Sequence, residues 1–441
     1  MLKKVRPQTY IFLGTALLLY FLLAYLFQAP LLNNGDYHRI TKQLVQIPAY
    51  LSIDQVCFPI HSDAFFIPSS LANLVFEINV ALVAIVSQTC WSLQSYFLML
   101  AAMYCFGLYR CFLCKLSPST LLGLFLAPLF FSPFLNSLYE EGLVLTLLPW
   151  VVLSIDRLRN KGKVLGFTIA SSFLILTKTQ VVLLVPAMLY AILVYGRATK
   201  LSTLKIITVC AILVLAVTGS FYQKQNQKDG QANAYNRLFN GLGWSMQAVH
   251  TWPANQFSER LKYFSSYQTK LQEITKHDEL VPNLNLWGTS FWPNGLELLT
   301  SKNDTRWQNI EEQLQLKSLV KFLYQHPHAL TQYLQNGVLV FISSNYAFGV
   351  LQKAGPSKIS AVLEAINYYS LQGAIWIYVL LLLYLCIMRK GFGRILGVII
   401  LMVTPFAVLI GDGFFEFEKH LMPYFLTLPL LLLFIPPKRR L

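Results

Sequence analysis

Residues 10–29 read YIFLGTALLLYFLLAYLFQA, twenty residues without a charge. As a helix this stretch is about 30 Å long, the thickness of a bilayer's hydrocarbon core. Lys3, Lys4 and Arg6 precede it, an arrangement that superficially resembles a signal peptide. The apolar run is too long for a typical h-region, however, and no small-x-small cleavage site follows it. The reading is an uncleaved first membrane helix.

The rest of the composition agrees. The 441 residues are 55% hydrophobic and 12% charged, against about a quarter charged in soluble domains. Further uncharged apolar windows recur along the chain, so the fold class is an all-α, multi-pass integral membrane protein.

A formal charge of +15 raises the question of nucleic acid, but the placement of the charge answers it. Eighteen of the 35 Lys and Arg fall in short segments beside apolar runs: near residues 3–6, 110–115, 157–163, 197–205, 389–394 and 438–440. Basic residues in short loops mark the cytoplasmic face. The partners implied are membrane lipids and their anionic headgroups; no nucleic acid is expected.

With those clusters inside, about ten spans follow, and both termini lie in the cytoplasm. Helix 1 (about 9–29) runs outward, and helix 2 (about 92–112) returns to Arg110 and Lys115. Helix 3 (about 118–136) leads out to NSLYEEG, and helix 4 (about 142–156) returns to DRLRNKGK. Helix 5 rises to TKTQ, helix 6 falls to GRATK, and helix 7 (about 203–222) leads out to a long polar stretch. Helices 8 to 10 complete the set from about residue 372. Residues 66–88 are apolar enough to span apart from Glu77 and Asn79. A crossing there would move every later basic cluster outside, so this segment is expected to lie along the outer face or dip into it.

The domains that result are a transmembrane catalytic module (1–222) with an extracytoplasmic loop (30–90), an extracytoplasmic domain with interfacial helices (223–371), and C-terminal membrane helices (372–441). Between helices 7 and 8, residues 223–371 carry 13 Lys/Arg and 10 Asp/Glu, and the pattern DTRWQNIEEQLQLKSLVKFLYQ is helical. Among the seven cysteines, Cys57 and Cys90 are the two that can meet in an oxidising compartment. Small apolar filling is the readier account of the cysteines.

All seven histidines and 19 of the 20 acids fall outside in this topology, Asp156 being the exception. Topology does not require that sorting, which points to extracytoplasmic chemistry. Three clusters stand out. Asp36, with His38 and Arg39, follows the first helix, although Asn-Gly-Asp is also good turn chemistry. Tyr139, Glu140 and Glu141 put two adjacent like charges at a membrane edge, a costly arrangement unless solvated, paired or metal-bound. Helices 4, 5 and 6 look short, about 14 residues, which would recess Glu140, Glu141, Lys178 and Gln180 into a headgroup-sized hollow. The third cluster is GDGFFEFEKHL, with Asp412, Lys419 and His420. The last two begin the final helix, where a helix N-terminus and a lysine attract phosphate. Interface anchoring explains this cluster as readily. No dinucleotide fingerprint, Walker A sequence or His-Glu-x-x-His motif occurs.

Five stretches in order, NNGDYHRI, NSLYEEG, TKTQ, AYNRLFNGL and GDGFFEFEKHL, resemble bacterial glycan-biosynthesis hexose transferases of the WsfD type, which are similar to the wider GT-C class of membrane glycosyltransferases. The resemblance runs from about residue 33 to 422. Tyr37 and Gly142 stand where that family pattern usually carries a phenylalanine-type aromatic and a proline.

The resemblance implies a GT-C-like fold and inverting transfer of a hexose. The donor is a polyprenyl-phosphate-linked sugar, and the acceptor is a cell-surface glycan or a lipid-linked molecule. The setting is the outer side of a bacterial plasma (inner) membrane. It implies Asp36 as general base, with Glu140 or Glu141 supporting the acceptor or a metal. Arg39, Lys178, Gln180, Lys419 and His420 would lie near the lipid phosphate, with His38, Tyr139 and Asp412 in support. The leaving phosphate needs cations. Side chains can supply them, or a divalent ion (Mg or Mn) held by Asp36, Glu140 or Glu141; no other cofactor is implied. The competing readings are a surface-polysaccharide polymerase or ligase, and a transporter or flippase of lipid-linked sugars.

Overall fold

The computed structural model describes residues 70–86, 90–118, 120–125 and 140–225 as continuous stretches. It also describes residues 14–15, 31–33, 38–41, 44–45, 58–60, 127, 138, 324, 327, 331, 334–335, 350–352, 399, 403 and 407. These residues are mostly helical. Two compact units divide the chain, residues 1–226 with 348–404 and 421–441, and residues 227–347 with 405–420. Every element below belongs to the first unit.

In chain order the elements are β1 (Leu31–Asn33), a single helical turn α1 (His38–Thr41), β2 (Phe58–Pro59), α2 (Leu71–Val86), β3 (Cys90–Trp91) and α3 (Leu93–Leu113). Then come α4 (Glu140–Lys161), α5 (Val164–Thr177), a 3₁₀ helix (Thr179–Leu184), α6 (Val185–Ala198), α7 (Thr203–Gln225) and β4 (Val350–Gln352). Among the described residues, three helices are long and apolar enough to cross a membrane: Leu93–Leu113, Thr179–Ala198 and Thr203–Tyr222. Two of them fall on the spans expected at 92–112 and 203–222. The expected helices 1 and 8 to 10 lie outside the described residues, as does almost all of 223–371.

The bundle is organised around α4. Its residues 141–149 are buried without interruption, and a helix buried all round sits inside a bundle. Helices α3, α5 and α6 surround it. Thr146 Oγ1 donates to the Leu100 carbonyl (3.4 Å), and Trp150 Nε1 to the Met103 carbonyl (3.2 Å). Residue numbers rise together, so α3 and α4 run parallel. The chain therefore returns the length of the bundle between them. Residues 120–125 are helical, and the Tyr104 hydroxyl donates to the Leu124 carbonyl. Close approach of α3 to α4 depends on Gly107, where an added Cβ would lie 2.9 Å from Trp150 Nε1 and 3.1 Å from Pro149 Cβ.

Tight helix ends gather the basic residues at one end of this bundle. Lys115, Gly162 and Lys200 take left-handed backbone angles (φ 55°, 60° and 58°) just past α3, α4 and α6. The Leu201 N–H reaches back to the Gly196 carbonyl (2.9 Å) and the Lys200 N–H to the Arg197 carbonyl (3.0 Å), the Schellman pattern that closes a helix. The Arg159 guanidinium lies 5.8 Å above the Tyr195 ring, tying α4 to α6 here. The opposite end carries the N-termini of α3 and α4 and the junction after α5.

Helix 4 corrects the expectation from sequence. It has 22 residues rather than about 14 and starts at Glu140. Arg157, Arg159 and Lys161 favour helix, so the charge run extends it instead of ending it. The 3₁₀ helix continues into α6 as a 20-residue apolar span. Only α5, with 14 residues, is as short as expected.

Residues 66–88 contribute α2, whose 16 residues give about 24 Å, less than a full crossing. Ser70 Oγ caps it by accepting the Asn73 N–H (3.1 Å), and Asn73 Nδ2 donates to the Ile40 carbonyl (2.6 Å). Phe76 packs edge-on against Trp91 and Tyr96. Asn79 Oδ1 accepts from Trp91 Nε1 (2.8 Å) and Ser95 Oγ (3.1 Å), and its Nδ2 donates to the Ser95 carbonyl (3.2 Å). The contacts of Phe76 and Asn79 meet the first turn of α3 and the strand before it. Beyond them α2 overhangs, with Leu82, Ile85 and Val86 exposed. β2 and β3 pair antiparallel beside this contact, Phe58 opposite Trp91 and Pro59 opposite Cys90. Cys90 is disulfide-bonded, whereas Cys105, Cys111, Cys114 and Cys210 are free thiols. Cys57 lies outside the described residues.

Candidate active site at the end opposite the basic residues

Two acids open α4, and a helix N-terminus is where the backbone dipole favours them. They differ in setting. Glu140 is half-buried; Glu141 is only 2% exposed and makes an ion pair with Lys178, itself 7% exposed. Lys178 stands at the break between α5 and the 3₁₀ helix, in extended conformation (φ −154°, ψ 136°). Its carbonyl accepts the Val181 N–H (3.0 Å), which starts the 3₁₀ turn. The break frees the ammonium to reach across to α4. Two charges so placed persist only as a pair, because either alone would be a bare charge in a low-dielectric interior.

Two members of the expected site, 37 residues apart in sequence, are thus brought together. Gln180 lies half-buried in the first 3₁₀ turn, two residues from Lys178. Glu141 and Lys178 are buried beside the break that follows the short α5, whereas α4 and the 3₁₀–α6 span are full length.

Tyr96 belongs here too, and sequence reasoning missed it. It lies in the first turn of α3, parallel to α4, with its ring fully buried. Its hydroxyl is buried without a hydrogen-bond partner. Nothing in its spacing separates it from the other tyrosines of the chain.

The remaining expected residues are not placed. Asp36, Tyr139, Asp412, Lys419 and His420 lie outside the described residues. His38 and Arg39 are described only as backbone, within α1. The chain on either side of Asp36 is fixed, however. β1 pairs antiparallel with β4, Asn33 opposite Val350. After Asp36, the Ile40 carbonyl takes the Asn73 bond, and α2 in turn meets Tyr96 through Phe76.

Among the described residues no three His, Cys, Asp or Glu side chains come together as metal ligands. Glu141 already faces an ammonium, which supplies the positive charge a metal would bring. Asp36, the third residue expected to hold a metal, lies outside the described residues.

Searches of protein-family models, of curated proteins and of solved structures give no match to this chain.

Proposed function

We propose that this chain is a membrane glycosyltransferase of GT-C-like architecture, with about ten spans and a mainly helical extracytoplasmic domain between the seventh and eighth. It transfers a hexose from a polyprenyl-phosphate sugar to a cell-surface glycan or lipid-linked acceptor. The observation that carries the reading is the buried Glu141–Lys178 pair beside Glu140, at the end of the bundle opposite the basic residues. A bundle that only spans has no use for a buried charge pair at that depth. The disulfide at Cys90, by the first turn of α3, suits an oxidising compartment on the same side. With the basic end in the cytoplasm of a bacterial cell, the site faces the extracytoplasmic surface.

In the proposed reaction Asp36 takes the proton from an acceptor hydroxyl, whose oxygen attacks the anomeric carbon. The bond from that carbon to the lipid phosphate breaks, and its electron pair leaves with the phosphate. Arg39, Lys419 and His420 are the cations assigned to the phosphate. Lys178, already paired, acts at one remove: it fixes the N-terminus of α4 and so the position of Glu140.

One observation favours a second reading. A helix broken at a charged residue is a feature of transporters, and Lys178 sits at such a break. The two readings part in one experiment. Purified protein in liposomes is given labelled polyprenyl-phosphate hexoses and an acceptor extract. Label appearing in a new glycoside bond supports the transferase; label moved across the bilayer with its phosphate bond intact supports the transporter instead.

A further inference from the structure

Two asparagines, Asn73 and Asn79, are buried on α2 (0% and 4% exposed). Asn is a poor helix former, and a buried amide calls for partners. Asn79 answers to Trp91 and Ser95 and so seats α2 on α3. Asn73 answers to a segment 33 residues earlier: its Nδ2 donates to the Ile40 carbonyl in a buried bond of 2.6 Å. The first turn of α2 does not need that amide, because Ser70 Oγ takes the Asn73 N–H and the Ser70 carbonyl takes the Leu74 N–H (3.0 Å).

What the bond secures is α1. A single helical turn does not hold its own shape in isolation, and its last carbonyls have no partner within the helix. Here Ile40 and Thr41 are each 1% exposed. The Leu44 N–H donates to the Thr41 carbonyl (3.1 Å), and Val45 forms an antiparallel bridge with Ile60. Asp36 lies between two fixed points, Asn33 on β4 three residues before it and Ile40 on Asn73 four residues after it. One turn along α2 from Asn73, the Phe76 ring meets Tyr96 (centroids 5.5 Å apart) in the first turn of α3. α2 is thus a bracket with α1 on one part of its surface and the start of α3 on another.

We propose that Asn73 is a positioning residue for the transfer: by holding the Ile40 carbonyl it fixes the turn that follows Asp36 relative to the end of the bundle where α4 begins. A general base works only within hydrogen-bond reach of the hydroxyl it deprotonates, and a displacement of about 1 Å costs about 10²-fold in rate. Asn73 touches neither sugar nor phosphate in this account; it acts through Asp36. The inference rests on the transferase reading for Asp36 as the base.

The test is Asn73→Leu in the full-length protein, which keeps the branched shape of the side chain and removes the donor. At saturating donor, kcat is expected to fall about 10²-fold with the acceptor KM unchanged. The double variant Asp36→Asn/Asn73→Leu is expected to transfer no more slowly than Asp36→Asn alone, because misplacing a base that no longer acts has no further effect. A wild-type kcat in Asn73→Leu overturns the proposal. So do losses that multiply in the double variant, since Asn73 would then act independently of Asp36. Should leucine not be accommodated, Asn73→Ala takes its place; failure of both to fold assigns Asn73 to the fold alone and overturns the proposal. Amide hydrogen exchange tests the bracket without any substrate. Residues 38–45 are expected to exchange about 2- to 13-fold faster in Asn73→Leu, the worth of one neutral hydrogen bond. Unchanged exchange there overturns the proposal. Faster exchange together with no transfer even by the wild type leaves the bracket standing and removes the transferase reading.

Discussion

Glu141 in the first turn of α4 and Lys178 at the end of α5 form an ion pair buried on both sides. Removing one partner strands the other charge, at a cost of about 3–5 kcal/mol. Lys178→Met and Glu141→Gln are each expected to lower the melting temperature of the purified protein sharply. The double variant Glu141→Gln/Lys178→Met should recover much of that loss, because it leaves no charge behind. Additive losses in the double variant would mean that the two side chains do not depend on each other.

The parallel packing of α3 on α4 makes a prediction of its own. Gly107→Ala places a methyl 2.9 Å from Trp150 Nε1 and 3.1 Å from Pro149 Cβ. Overpacking of this kind costs about 1–3 kcal/mol. Thermal unfolding should show it, whereas Gly166→Ala, with no atom within 4 Å of the new methyl, should be neutral or mildly stabilising. Equal behaviour of the two variants would contradict the close approach of these helices.

Sidedness is testable through cysteine chemistry. Cys90 is disulfide-bonded, so a membrane-impermeant maleimide should label it in intact cells only after an impermeant reductant. Reporter fusions at Lys115, Lys161 and Lys200 should read as cytoplasmic, and one at Glu140 as extracytoplasmic. Failure of Cys90 to label even after reduction, or an external signal at Lys115, would reverse the orientation.

How much of this was legible in the sequence depended on whether the cause was local. The spans at 93–113 and 203–225 follow from long apolar runs with charges only near their ends, and both were readable to within a few residues. The length of α4 was misjudged because Asp156 and the basic residues after it looked like a boundary, although such side chains extend a helix into the interface without breaking it. Residues 66–88 were ambiguous because Glu77 and Asn79 interrupt an apolar run. Asn79 is there for a tertiary reason: it takes hydrogen bonds from Trp91 and Ser95. Glu141 and Lys178 could be singled out as charges at helix ends, but their pairing is set by how α4 and α5 pack, which no spacing reveals. Tyr96 carried no signal at all, since its distinction is an unpaired hydroxyl, visible only once its neighbours are placed.

The central claim, that the chemistry lies in the carboxylates at this end of the bundle, is tested most directly by turnover of a labelled polyprenyl-phosphate hexose by Asp36→Asn, Glu140→Gln and the wild type. Each variant keeps the size of the side chain and removes its basicity, and Asn serves a turn as well as Asp does. The account predicts that Asp36→Asn lowers transfer by roughly 10²–10⁴-fold while protein yield and melting temperature hold, with a smaller loss, read in acceptor KM, for Glu140→Gln. Transfer at near wild-type rates by both variants would contradict it.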